Sequence, residues 1–310
     1  MPTPRRRGGV TLALLSAIAL MGCSASRASR SGAQPQSAAT APTPTTQLVA
    51  PHINPPSEVE LSLAAASFQQ QLAGGVATVA ADTSSLRDAI QAGDLDAARA
   101  DWLVAHLDYV RLGGAYGSFG TAADAIDAGP AGLPGGVSDP GFVGFRRLEH
   151  GLWHGESAAT LQPVADALVA AVQGLAADLP QVQVTGFDLA LRGHEILEGG
   201  LQHELTGEDD EGSGTELATL GAEVAATTTV IDAFDPILRD LDPSLLDSIR
   251  AELARVQGEV DGARLPDGSW PPLAALDPTT HRRLDGAVGA ALEVLASLPP
   301  AMRTDAGTGS

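Results

Sequence analysis

From Ser57 onward, segment after segment of the chain places apolar residues three or four apart, with Gly or Pro breaking the pattern at intervals. The first such segment opens at Ser57 and carries Val59, Leu61, Leu63, Phe68 and Leu72. Ser57 suits an N-cap, because its hydroxyl can accept from a free backbone N–H of the first helical turn. Alternating runs of Val, Ile, Thr and aromatic residues are few; hydrophobic residues reach 44%, with Ala and Leu abundant, but aromatics only 4%. Helices therefore dominate the expectation, and an all-β sandwich is excluded.

Further helices are predicted at about 94–119, within 141–153, and at 157–178, 186–205, 214–239, 242–260 and 278–297. The breaks between them are the Gly/Pro-rich stretch from Gly129 to Pro140, Pro180, the loop Thr206–Gly214, Pro243, and Pro266–Pro272. Gly113 and Gly114 weaken the second helix locally. Seven or eight antiparallel helices with short loops make an all-α bundle, or two bundles packed end to end.

The N-terminus reads differently. Arg5, Arg6 and Arg7 precede an apolar stretch from Val10 to Leu20, too short for a comfortable transmembrane helix, and Leu20-Met21-Gly22-Cys23 follows. This ending resembles the lipobox of bacterial lipoproteins, whose cysteine is acylated and becomes the new N-terminus. An ordinary secretory signal with an incidental cysteine is the simpler alternative. Ser24 to about Pro56 is rich in Ser, Ala, Thr, Pro and Gln without apolar periodicity, and reads as a tether. The expected organisation is a signal over 1–22, a tether over 23–56, a helical domain over 57–302 and a flexible tail over 303–310. It implies a cell-envelope location, lipid-anchored at Cys23 on the outer face of the cytoplasmic membrane or in the periplasm.

Charge narrows the partners. Eighteen basic residues, all of them Arg, stand against 38 acidic ones, a formal charge of −20 over 310 residues. A binder of phosphate backbones needs the opposite sign, so nucleic acid is excluded, whereas cations are attracted. The single cysteine rules out a disulfide framework and a Cys-rich zinc or iron–sulfur site.

Four patches place carboxylates or imidazoles on otherwise apolar segments: Trp102–Tyr109, Ala125–Asp127, Gly144–His154 and His194–Glu198. On a helix, Glu195 and Glu198 are three apart and His194 and Glu198 four apart, so each pair shares a face. Helices that face one another with such residues can converge oxygen ligands inside a bundle.

Gly144-Phe145-Arg146-Arg147-Leu148-Glu149 followed by Gly151-Leu152-Trp153, the upstream Ala105-His106-Leu107-Asp108-Tyr109-Val110-Arg111-Leu112-Gly113, and His194-Glu195-Ile196-Leu197-Glu198 with Leu205-Thr206-Gly207-Glu208-Asp209 downstream carry a family likeness. Together they resemble the imelysin-like, EfeO-type iron-uptake lipoproteins over about residues 58–300. The resemblance implies an all-helical fold of two four-helix bundles. It also implies an extracytoplasmic role in ferrous-iron uptake beside a membrane permease and a haem peroxidase-like partner, with iron as the bound cation. Asp127, Glu149, Glu195 and Glu198 are the oxygen donors it carries over, with His150 and His194 as substitutes.

Two positions depart from the pattern. The family reads His-x-x-Glu after Gly-Phe, where this chain has Arg146 and retains Glu149; the upstream helix usually reads Tyr-Glu-Arg, where this chain has Val110. A guanidinium about 6 Å from a divalent ion repels it by roughly 5 kcal/mol at an effective dielectric near 20. Arg146 then swings out to solvent, pairs with Glu149 in place of a metal, or recognises an anionic group that accompanies the metal.

Plainer roles exist for each residue. Glu149 can be a buried carboxylate paired with Arg146 or Arg147, and Glu195 and Glu198 a solvated helix face. His150 and His154 are four apart but lack the adjacent Glu of a zinc-protease motif. His106, Tyr109 and Trp102 can pack the core, and Asp127 can end a helix or make a turn. The Glu208–Glu211 run lacks the alternating donors of an EF-hand and is expected to be solvated. No Lys accompanies the Gly-x-x-x-x-Gly stretches, so nucleotide binding has no support. The leading expectation is a lipid-anchored receptor for iron or a similar cation. A metallopeptidase and a scaffold or polysaccharide-binding lipoprotein are the competing classes.

Overall fold

Helix starts in this protein are written largely by capping side chains. In the computed structural model, which describes residues 54–304, Ser57 and Glu60 form a reciprocal capping box at the start of α1 (Glu58–Ala92). Asp94 then caps α2 (Leu95–Val110), Ser157 caps α5 (Ala158–Asp178) and Thr185 caps α6 (Gly186–Gln202). Asp242 caps α9 (Pro243–Gly262) and Asp277 caps α10 (Pro278–Leu295). Each such cap contributes about 1 kcal/mol by satisfying a backbone donor that the helix leaves free. Between them run α3 (Thr121–Asp127), α4 (Gly144–Trp153), α7 (Glu216–Ala233) and α8 (Asp235–Leu241), with α11 (Leu298–Ala301) at the end. Among the described residues there is no strand.

The fold is an all-α bundle. α1 packs on α2 and α5, and α4 packs on α2 and α5, which makes one four-helix set with α3 against α4 and α5. α6, α7, α9 and α10 make a second set, with α8 on α9 and α11 on α6. The two meet where α1 touches α6 and α7 and where α2 touches α7. One apolar core runs through both, from Leu61 and Trp102 to Val288 and Leu298. This seam between the sets positions the site.

Two predicted helices are broken. The segment 214–239 divides at Phe234 because Pro236 cannot donate a backbone hydrogen bond, and α8 leaves α7 at 63°. The segment 94–119 ends at Val110 and continues as a 3-10 turn over Gly113–Ser118. Close packing explains this turn: a Cβ on Gly114 would stand 2.7 Å from Phe68 of α1 and 2.8 Å from Val230 of α7. The turn thus threads the seam where a side chain has no room. The expected signal segment 1–22, Cys23 and nearly all of the tether 23–56 lie outside the described residues, as does the tail beyond Thr304.

Candidate functional site

Gly144 sets the geometry of α4. Its φ of +76° suits only glycine, and a Cβ there would lie 2.2 Å from the Ile126 carbonyl oxygen. The first turn of α4 can therefore press against the last turn of α3, with Trp102 Nε1 donating to the Phe145 carbonyl at 2.9 Å. Three residues into α4, the Arg146 side chain reaches Asp127, the residue that ends α3.

Arg146 is buried, 8% exposed, and each of its nitrogens faces a carboxylate. Nε is 3.6 Å from Asp127 Oδ1 and Nη1 3.6 Å from Glu149 Oε2. Nη2 is 3.6 Å from Glu204 Oε1 and 3.8 Å from Asp209 Oδ2. Nη1 also donates to the Asp209 carbonyl at 2.9 Å. Burial opposes the positive charge, but Asp127, Glu204, Glu149 and Asp209 outweigh it and hold the guanidinium ionised above its ordinary range. Asp127 and Glu149 come from the first helix set, whereas Glu204 and Asp209 follow α6 of the second. Arg146 therefore ties the two sets together.

Glu149, 1% exposed, is anchored on its other oxygen. Oε1 accepts from Ser213 Oγ at 2.6 Å, from Glu211 N at 3.1 Å and from Ser213 N at 3.3 Å, while Oε2 accepts no hydrogen bond. Burial pushes its pKa up to about 8, against the pull of Arg146 and Ser213. Burial likewise lifts Glu204 to about 7, against Arg146 and with Asp209 and Asp127 adding repulsion. His106, buried and stacked on Trp102 at 4.8 Å, lies 3.5 Å from Asp127 Oδ1. Burial keeps it neutral, although Asp127 favours its proton.

Beside this cluster the seam opens into a cavity of about 380 Å³. Five carboxylates line it, those of Asp127, Glu195, Glu204, Asp209 and Glu223, against two guanidinium groups, Arg146 and Arg192. Val110, at the position where the resemblance expects a glutamate, forms apolar wall with Tyr116 and Ile196. Glu223 Oε2 is buried without a hydrogen-bond partner, and burial, reinforced by Glu204, holds its carboxyl well above the usual range. Among the described residues, no three His, Cys, Asp or Glu groups are placed to hold a metal ion. The point on which Asp127, Glu149 and Glu204 close is filled by the Arg146 guanidinium.

The family model for imelysin matches residues 64–298. The chain belongs to the imelysin family. It is 26% identical over 244 residues to the iron uptake system component EfeO of Escherichia coli O157:H7, and 25% identical to that of strain K12. These alignments cover 78% of this chain and 65% of the relatives, so the chain spans about two thirds of their length. An imelysin-like protein from Psychrobacter arcticum 273-4 shares the fold, with a TM-score of 0.59 at 15% identity, covering 82% of this chain and 99% of that one.

Within this imelysin fold the proposed ligands separate into two groups. Asp127, Glu149 and Arg146 meet, and Glu195 reaches the neighbouring cavity, where it pairs with Arg192 at 2.9 Å. Glu198 and His194 do not join them. They pair with each other at 3.6 Å on the outer face of α6, and Glu198 also accepts from Gln202. His150 turns away to Glu211 at 3.2 Å and stacks on His154. The structure does not bring Glu149, Glu195 and Glu198 to one point, because α6 buries Leu189, Gly193, Leu197 and Gly200 rather than its acids.

Three acids were missed. Glu204 directly precedes the Leu205–Asp209 motif, Asp209 is its last residue, and Glu223 lies on a helix whose apolar residues gave it no prominence. The Glu208–Glu211 run is corrected in part: the Glu208 and Asp209 side chains stay 70% and 42% exposed, whereas Asp210 and Glu211 turn inward. Asp209 faces Arg146, Asp210 Oδ1 accepts from Gly214 N at 2.8 Å, and Glu211 pairs with His150. The positive charge and donors offered by α4 draw the run inward.

Proposed function

We propose that the chain is a cell-envelope component of an iron-uptake system, which takes iron or a similar cation into the seam cavity and passes it to a membrane permease. The observation that carries this reading is the excess of carboxylates over guanidinium groups around a confined space, where partial exclusion of water strengthens the field. Oxygen donors suit Fe(II), Fe(III), Mn(II) and Ca(II), and the names of the curated relatives favour iron. Glu195 and Glu223 are the acids that Arg146 does not engage directly, and they are the proposed points of contact.

The raised carboxyls give the capture a proton dependence. Burial, reinforced by Glu204, holds the Glu223 carboxyl well above its ordinary range, so a cation that meets it displaces a proton. Affinity then rises with pH. The reading includes lipid anchoring at Cys23, the tether over 23–56 and a haem peroxidase-like partner. It treats the chain as a carrier rather than a peptidase, because arginine stands at the histidine position of the family motif.

Isothermal titration with Fe(II) and Fe(III) tests the proposal, with the natural protein set beside Glu195→Gln/Glu223→Gln. The natural protein should bind and release protons, and the double variant should bind at least about tenfold more weakly. Absence of binding by the natural protein, or equal binding by both, overturns it.

A further inference from the structure

We propose that Arg146 is a tethered cation that replaces an ion at the meeting point of Asp127, Glu149 and Glu204, so that this cluster is held together by the chain's own charge. The inference goes beyond the uptake reading, since it concerns how the seam is stabilised and which part of the acidic region is closed to metal.

Three observations support it. The guanidinium is the central group: its three nitrogens lie 3.6 to 3.8 Å from four carboxylates drawn from α3, α4, the turn after α6 and the loop beyond it. Buried carboxylates without a counter-charge are strongly unfavourable, and such groups in proteins are paired or coordinate a metal. Secondly, Asp127 Oδ1 and Glu149 Oε2 are buried and accept no hydrogen bond. The guanidinium beside both is that of Arg146, 3.6 Å from each of these oxygens. Thirdly, the four ion-pair contacts are Coulombic rather than forked hydrogen bonds; the one short donation, at 2.9 Å, goes to the Asp209 main chain. A cluster that uses charge more than fork geometry is one in which an ion and a guanidinium are interchangeable.

The two kinds of occupant differ in consequence. A diffusible ion can leave, and the seam then depends on its concentration; an arginine cannot, and the two helix sets stay linked in the absence of metal. Arg146 also selects against a bare ion at Asp127, Glu149 and Glu204, and leaves Glu195 and Glu223 in the adjoining cavity for any cargo.

The test removes the charge and offers an external one. Thermal unfolding is measured with EDTA and with millimolar MnCl2 for the natural protein, Arg146→Met and Arg146→Lys, and Mn(II) binding is followed by electron paramagnetic resonance. In EDTA, Arg146→Met should melt about 10 °C below the natural protein, and MnCl2 should restore most of that loss with a bound Mn(II) signal. Arg146→Lys keeps the charge and should stay near the natural melting temperature with little response to Mn(II). If Arg146→Met folds only when Mn(II) is present, the inference stands. If Arg146→Met gains no more from Mn(II) than the natural protein, or if Arg146→Lys is as impaired as Arg146→Met, it is overturned. Iron titration of the natural protein is a separate readout, so failure of the uptake reading there leaves this result unaffected.

Discussion

α4 and α6 both carry charged residues at helical spacing, Arg146 with Glu149 on one and His194 with Glu198 on the other, yet the structure uses them in opposite ways. Glu149 is 1% exposed beneath the 207–215 loop, whereas the side chain of Glu198 is 45% exposed. Spacings that each put the pair on one helix face, three residues apart on α4 and four on α6, therefore supply a buried ionic junction in one region and a solvated pair in the other. The difference lies in what covers the face. α4 is enclosed by α2, α3, α5 and the folded-back acidic loop, while α6 turns its apolar side to α7 and α10 and leaves the His194–Glu198 side to water.

The contrast can be broken most directly at Glu149. Glu149→Ala deprives Arg146 of a partner and strips the acceptor from Ser213 and Glu211 N, so a loss of about 3–5 kcal/mol is expected in urea unfolding. A loss below about 1 kcal/mol would place this residue with the surface pairs. Gly144→Ala comes next. It forces a side chain into positive φ and against the Ile126 carbonyl, at an expected cost of about 2–3 kcal/mol, with Asp127 displaced from Arg146. Thermal unfolding of Gly144→Ala beside Gly155→Ala, where the φ is also positive but the Cβ has open space, separates steric from backbone strain.

pH sharpens the comparison further. Glu149 and Glu204 have carboxyls raised above the unfolded value, so the folded state binds more protons than the unfolded one between about pH 4.5 and 8. Their contribution is fully present below the unfolded pKa and is lost as pH rises through about 7 to 8. Stability should accordingly fall from pH 5 to 8, and by less in Glu204→Gln. Calorimetry at matched ionic strength checks the slope. The smallest effect belongs to α6: Glu198→Ala should cost no more than about 0.5 kcal/mol and leave that pH dependence unaltered.

Much of the fold was legible because its signals are local. Ser57, Asp94, Ser157 and Asp277 act as caps at helix starts that the apolar pattern also marks, and Gly113-Gly114 open the 3-10 turn that follows α2. Pro236 divides α7 from α8, although the apolar pattern runs through it. α3 went unread because seven residues hold too few apolar repeats. At the site, the spacing of Arg146 and Glu149 pointed to the buried pair and the Gly144-Phe145 step marked its helix. Glu204, Asp209 and Glu223 were not found this way: Asp209 ends a motif and Glu204 precedes it, but their spacing on the chain does not show that they face Arg146 or the cavity rather than solvent.

Sequence alone determined the helices, their caps, the strongly acidic character and the sets of charged side chains that share a helical face. These follow from interactions within a few residues, whose energies depend little on the remainder of the molecule. Tertiary structure decided which face was buried, and brought Asp127, Glu204 and Asp209 from separate elements around Arg146. The physical reason is that the cost of burying a charge is set by what surrounds it, and those surroundings exist only after the two helix sets have packed.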